Sequence, residues 1–251
     1  MAKSGILFLG GVQSQSTLLY RDSSLYGNHG TLTNMDPATD WVFDPYLGRW
    51  VLRGDGSNDI VTTPGGWPAP PWSAATWVKM WQLSVSNVVH GIMVQYAYGG
   101  TCNSGLFYQY NAGNLWYFQA YGSGGAAHAF GTPDLSWHRF LVTASTAGSF
   151  AYLDGVLKDS QTAPVGQTAS GLSLLAYTTN FCKAFVTDGM IWNRVLSLSE
   201  IQRDADPSDT MLGGLLLPPT RKWWPVSSGG AAPTFEPWWA RNKNVLIGAC
   251  V

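Results

Sequence analysis

An all-β fold, a sandwich of two antiparallel sheets, is what this sequence predicts, and three observations carry the prediction. Charged residues make up only 12% of the 251 residues, and just two are glutamates, Glu200 and Glu236. Exposed helix faces need far more charge than that. Aromatic residues reach 14%, beside 29 glycines and 14 prolines, the mixture that strands and tight turns use. Short apolar or alternating stretches also recur between turn clusters along most of the chain, as in an all-β domain. One sandwich of this length is ordinary.

Taken in order, strands are expected at 5–10, 17–20, 50–52, 60–62, 75–83, 88–98, 105–110, 115–121, 137–144, 149–153, 172–175 and 183–192. The first is apolar but short, and no Ala-x-Ala cleavage site follows it, so it reads as a strand and not as an export signal. Period-two alternation is plain from Leu115 to Tyr121 and from Arg139 to Thr143. Asn111-Ala112-Gly113-Asn114 and Asp154-Gly155 supply residues that tolerate the positive φ of hairpin turns. One short helix is expected at 197–203, where Ser197 and Glu200 form a capping-box pattern ahead of Ile201. Asp206-Pro207 then ends it. These elements fill a domain over residues 1–210. The remainder, 211–251, is a Pro- and Trp-rich extension in which Trp223, Trp224, Trp238 and Trp239 are the candidate assembly residues, since tryptophans anchor interfaces.

Several function classes are excluded or disfavoured by the same residues. The formal net charge is −1, which leaves no electrostatic footprint for nucleic acid, and no run approaches a membrane span. Three cysteines lie far apart without CxxC spacing, so no metal knuckle or disulfide framework is expected. His29, His90, His128 and His138 are dispersed, no Gly-x-Ser-x-Gly elbow occurs, and no His-x-x-x-His pair offers zinc spacing. Glycosidases need two carboxylates across the scissile bond, and neither glutamate has such a companion. The chain is expected not to be an enzyme.

Four stretches carry a family resemblance. They are Asp22-Ser23-Ser24-Leu25-Tyr26-Gly27-Asn28, Gly54-Asp55-Gly56-Ser57-Asn58-Asp59, the pair Trp137-His138 with Tyr152-Leu153-Asp154-Gly155, and Asp188-Gly189-Met190-Ile191-Trp192-Asn193-Arg194. In this order they resemble the laminin-G-like, pentraxin-type branch of the concanavalin A-like lectin/glucanase superfamily, departing from it at Leu25 and Tyr26, where glycine is usual. The resemblance implies a concanavalin A-like jelly roll and calcium as the cofactor to look for. Asp22, Asn28 and Asp188 are the candidate calcium ligands, with Asp55, Asn58 and Asp59 as a second set. The alternative is that these side chains only hold turns through Asx hydrogen bonds.

Aromatic side chains are the second kind of candidate, because sugars stack on them. Tyr108, Tyr110, Trp116 and Tyr121 are the candidate glycan-binding residues. Against this, alternation puts half of such side chains in the core. A fold used mostly outside cells, no export signal and an assembly-type tail together suggest a non-enzymatic virion structural protein of a phage. It would be a capsid decoration or a tail- or fibre-associated lectin-like module, made in the host cytoplasm and partnered by other virion subunits, by itself as a homo-oligomer, or by surface glycans. The alternative is a bacterial carbohydrate-binding module with structural calcium, extracellular or at the cell surface.

Overall fold

The computed structural model describes residues 6–10, 19–24, 26–65, 68–83, 88–96, 102–109, 115–120, 126–162, 171–177 and 179–207. The chain divides into two compact units, 1–216 and 217–251, and the second lies outside the described residues. So do the four tail tryptophans, Trp223, Trp224, Trp238 and Trp239, and the aromatic candidates Tyr110 and Tyr121.

Among the described residues, eighteen strands and two short helices follow one another. The first seven strands are β1 (Ile6–Gly10), β2 (Leu19–Tyr20), β3 (Gly30–Thr33), β4 (Trp41–Asp44), β5 (Arg49–Arg53), β6 (Ile60–Thr63) and β7 (Trp72–Met80), with α1 (Pro37–Asp40) before β4. Then come β8 (Val89–Tyr96), β9 (Cys102–Gln109), β10 (Leu115–Ala120), β11 (Ala126–Gly131), β12 (His138–Ser145), β13 (Gly148–Leu153) and β14 (Val156–Gln161). The chain closes with β15 (Gly171–Leu174), β16 (Ala176–Tyr177), β17 (Asn180–Phe181), β18 (Ala184–Trp192) and α2 (Leu198–Asp204).

Two eight-stranded antiparallel sheets result. The first runs β14-β13-β12-β7-β18-β5-β4, with β1 also paired to β18, and the second runs β11-β10-β9-β8-β15-β6-β3-β2. This is the concanavalin A-like sandwich expected from the sequence. β9 pairs with β10 and β13 with β14 as antiparallel neighbours; the expected turn at Asp154-Gly155 joins the latter pair with φ of 53° and 75°, while the turn expected at 111–114 lies outside the described residues. Two consecutive positive φ values match the right-handed twist of the flanking strands.

The core lies between the sheets because alternate residues of each face inward. Trp41 stacks on Tyr20 at 6.0 Å, Trp116 on Phe140 at 4.3 Å, and Phe130 meets Phe140 edge-on at 5.0 Å. At about 25 cal/mol per Å², each such ring of roughly 200 Å² contributes on the order of 5 kcal/mol by burial.

The outer face of the first sheet carries a second apolar layer. Leu196 and Ile201 around α2 pack on Ala75, Leu141, Met190 and Trp192. The capping box forms, with Ser197 N donating to Glu200 Oε2 at 2.9 Å and Glu200 N donating to Ser197 Oγ at 3.4 Å. A buried ion pair then fastens the helix: Arg139 Nε and Nη2 donate to Asp204 at 2.8 and 3.0 Å, while Nη1 donates to the Asp188 carbonyl at 2.8 Å.

Candidate functional site

The loop from Arg21 to His29, between β2 and β3, is folded around one carboxylate. Asp22 is 3% exposed. Its Oδ1 accepts from Ser24 N at 2.8 Å, and its Oδ2 accepts from Ser24 Oγ at 2.8 Å and from Asn28 N at 2.7 Å. Asp22 N donates to His29 Nδ1 at 3.0 Å, and Tyr26 N donates to Ser24 Oγ at 3.2 Å. Gly27, at φ of 62°, takes the left-handed turn that lets His29 N reach the Gly27 carbonyl at 2.8 Å. A buried acceptor drawing in three donors makes a fixed loop from polar residues.

That loop leaves an open depression of about 430 Å³ lined by Arg21, Asp22, Ser23, Ser24, Tyr26, Gly27 and His29. Tyr26 is 50% exposed beside it. The depression thus sets one exposed aromatic ring among hydroxyl, imidazole and guanidinium groups.

The expected calcium set is divided. Asp22 and Asn28 share the loop, but the Asn28 side chain lies against Gly65, and both oxygens of Asp22 accept hydrogen bonds within the loop. Asp188 sits at a bulge in β18 with φ of 50°, and its buried carboxylate is ion-paired with Arg49. Burial pushes that carboxyl up, and Arg49 and Arg139 oppose the shift. Among the described residues, no three His, Cys, Asp or Glu side chains converge as a metal would require. The second set holds its own turn. Asp55 Oδ1 accepts from Ser57 N at 2.6 Å and Asn58 N at 3.4 Å, while Asp59 Oδ2 accepts from Asp55 N at 2.8 Å. Burial, with the Asp55 and Asp40 charges, pushes Asp59 up to about 6.

Tyr108 and Trp116 require a correction. They are 0% and 2% exposed, on the inward faces of β9 and β10, Tyr108 stacked on His90 at 5.8 Å. They are core residues and form no sugar platform, because the register places them opposite each other, facing the other sheet. Tyr26, which the sequence marks only as a departure from a motif, is exposed instead, as are Phe43, Tyr46 and Phe150, and of these it is the one that lines the depression.

One constellation escapes the sequence altogether. His128 Nδ1 lies 3.1 Å from Asp159 Oδ2 and its Nε2 lies 2.7 Å from Ser149 Oγ, the connectivity of a serine hydrolase triad. Yet His128 and Ser149 are both 0% exposed, with the imidazole directed from β11 onto β13 and β14 of the other sheet. A nucleophile must be reached by substrate, so this trio is a polar bridge between sheets.

A family model described as the concanavalin A-like lectin/glucanase superfamily matches residues 54–202. This chain belongs to that superfamily. A search of curated proteins returns no match. Among solved structures, this superfamily member is similar to domain 4 of AbnA, an extracellular arabinanase of Geobacillus stearothermophilus, solved in complex with arabinotriose. The TM-score is 0.63 at 16% identity, over 81% of this chain and 99% of that one. It is similar as well to the ligand-binding domain of botulinum neurotoxin serotype D in complex with N-acetylneuraminic acid, with a TM-score of 0.62 at 14% identity over 80% of this chain. The Trypanosoma rangeli sialidase in complex with sialic acid follows at 0.57 and 15%, over 79% of this chain and 32% of that one. The chain spans about half the length of the botulinum binding domains it matches.

Proposed function

We propose that this chain is a non-catalytic carbohydrate-binding module whose sugar site is the depression beside Tyr26. The observation that carries the reading is a half-exposed aromatic ring set in a polar hollow, on a loop already fixed by the Asp22 carboxylate. A preorganised loop loses little freedom when a ligand settles on it. Arg21, Ser23, Ser24 and His29 offer donors and acceptors for sugar hydroxyls around the ring. Membership of a lectin/glucanase superfamily supports the reading, as do similar folds solved with arabinotriose and with sialic acids.

Absence of catalysis is supported by how the acidic groups are used. Glu200 caps α2 and accepts both Arg194 guanidinium donors, at 2.9 and 2.6 Å, which hold its carboxyl down at about 2. A carboxylate so committed is a poor general acid or base at neutral pH. Residence in a virion is not part of this reading, since the tail that would carry assembly contacts lies outside the described residues.

Glycan-array screening followed by calorimetric titration of the best hit tests the proposal. Tyr26→Ala is expected to weaken that hit by about tenfold or more, an aromatic stacking contact of roughly 1–2 kcal/mol, with an unchanged melting temperature. Equal affinity in the variant overturns the site. Titration in chelator tests the calcium expected from the sequence. With Asp22 and Asn28 committed to the loop, affinity is expected to survive removal of divalent ions.

A further inference from the structure

A second surface lies on the outer face of the first sheet, at the end where β5, β7 and β18 run together. Phe185 of β18 is the cross-strand partner of Lys79 on β7 and of Arg53 on β5, so the three side chains share one row on one face. Trp81 follows β7 and Lys183 precedes β18, joined by a hydrogen bond from Trp81 N to the Lys183 carbonyl at 3.2 Å. Arg53 Cζ lies 4.9 Å and Lys183 Nζ 5.4 Å from the Trp81 ring centroid. All five side chains are partly exposed.

What marks this corner is that three cations gather there without countercharge. Arg49, Arg139 and Arg194 each have a carboxylate partner. Among the described residues Arg53, Lys79 and Lys183 have none, and the one side-chain hydrogen bond among them goes from Lys183 Nζ to the neutral Gln82 amide at 2.9 Å. The nearby turn does not neutralise them. Lys183 packs against Gly56, but the Asp55 and Asp59 carboxylates accept backbone donors of their own turn and form no ion pair with it among the described residues. The Lys183 charge instead reaches His90, whose protonation it disfavours. Like charges gathered on one indole without an anion are held at a cost that an anionic ligand would relieve.

We infer that the Arg53–Lys79–Lys183 corner, with Trp81 and Phe185, binds the carboxylate of an acidic glycan. This rests on the glycan-binding reading and names a sugar class for it. A planar carboxylate matches the Arg53 fork bidentately, Lys183 supplies a second charge, and the apolar face of a sugar ring meets Phe185. The surroundings favour a sugar acid over a nucleic acid. The three cations form one short cluster, enough for a few carboxylates and too few to track the phosphates of a long nucleic acid.

The test is a titration of the full chain with oligogalacturonate, neutral galacto-oligosaccharide of equal length, and single-stranded oligodeoxynucleotide of equal charge. Binding of oligogalacturonate at low salt is expected, weakened at about 0.15 M salt, as partly exposed ion pairs are. Arg53→Gln with Lys183→Gln should weaken it by about tenfold or more, as loss of a charge-assisted pair does. Lys158→Gln, an exposed cation on β14, should leave it unchanged. The proposal is overturned if the double variant binds oligogalacturonate normally, if Lys158→Gln weakens it equally, or if the oligodeoxynucleotide binds as tightly. Neutral-sugar binding that depends on Tyr26, with no uptake of oligogalacturonate, would sink this inference and leave the glycan-binding reading standing.

Discussion

His128 and His138 stand at opposite ends of the protonation problem. His138 is held by Asp154 at 2.7 Å and Asp134 at 3.0 Å, and the Asp154 hydrogen bond, outweighing burial, raises it above its ordinary 6.5. A raised folded value means stability fully present below 6.5 and lost as pH rises through that folded value. His128 is lowered by burial, more than Asp159 can restore. The unfolded chain then takes the proton more readily, so this residue costs stability as pH falls below 6.5. Thermal melts of His138→Gln are expected to show a deficit at mildly acidic pH that shrinks at alkaline pH. The deficit should be about 1 kcal/mol or less, because Asp134 and Asp154 are largely exposed and solvent screens the pairs. His128→Gln should show the reverse slope, with its least penalty on the acid side. Parallel curves for the two variants would contradict the assignment.

The helix α2 depends on a partnership no local pattern reveals. Its capping box is legible in the sequence, because Ser197 and Glu200 are three residues apart and the rule is local. Its anchor is not: Asp204 pairs with Arg139 on β12, far along the chain. Removing one partner strands a buried charge, so Asp204→Asn should cost about 3–5 kcal/mol in denaturant unfolding, and Arg139→Met combined with Asp204→Leu should recover most of it. Ser197→Ala should cost about 1 kcal/mol. The same divide separates the strands. Period-two runs on β10 and β12 can be read directly, whereas β3, β4, β11, β14, β16 and β17 are not among the strands the sequence predicts. β14 lies at a sheet edge with most side chains exposed, and an edge strand needs no apolar alternation. Asp188 reads as a ligand in the sequence for a related reason. Its partner Arg49 and the bulge that turns it inward are tertiary facts, as is the exposure of Tyr26 on a loop recognisable only as rich in oxygen.

Closure of the sandwich can be followed through Cys182. Its thiol is fully buried, in contact with Met80 Sδ at 4.0 Å, and burial pushes it up to about 12. Such a thiol is inert until the protein opens, since reaction needs both access and thiolate. It also belongs to the same intersheet core as Trp116 of β10 and Phe140 of β12, although none of the three is adjacent in sequence to another. If that core opens as one unit, damage at one of them must be felt at the others. In a background with Cys102→Ser and Cys250→Ser, Trp116→Ala should destabilise the fold by about 3–5 kcal/mol. Labelling of Cys182 should then accelerate by about a hundredfold or more, since each 1.4 kcal/mol is a factor of ten. A rate unchanged by Trp116→Ala, despite the lost stability, would mean that Cys182 is exposed by local opening of the β16–β17 hairpin beside it. The joined core makes the shared response the expected one: Trp116 stacks on Phe140, β12 carries Phe140 beside β7, and β7 delivers Met80 to Cys182.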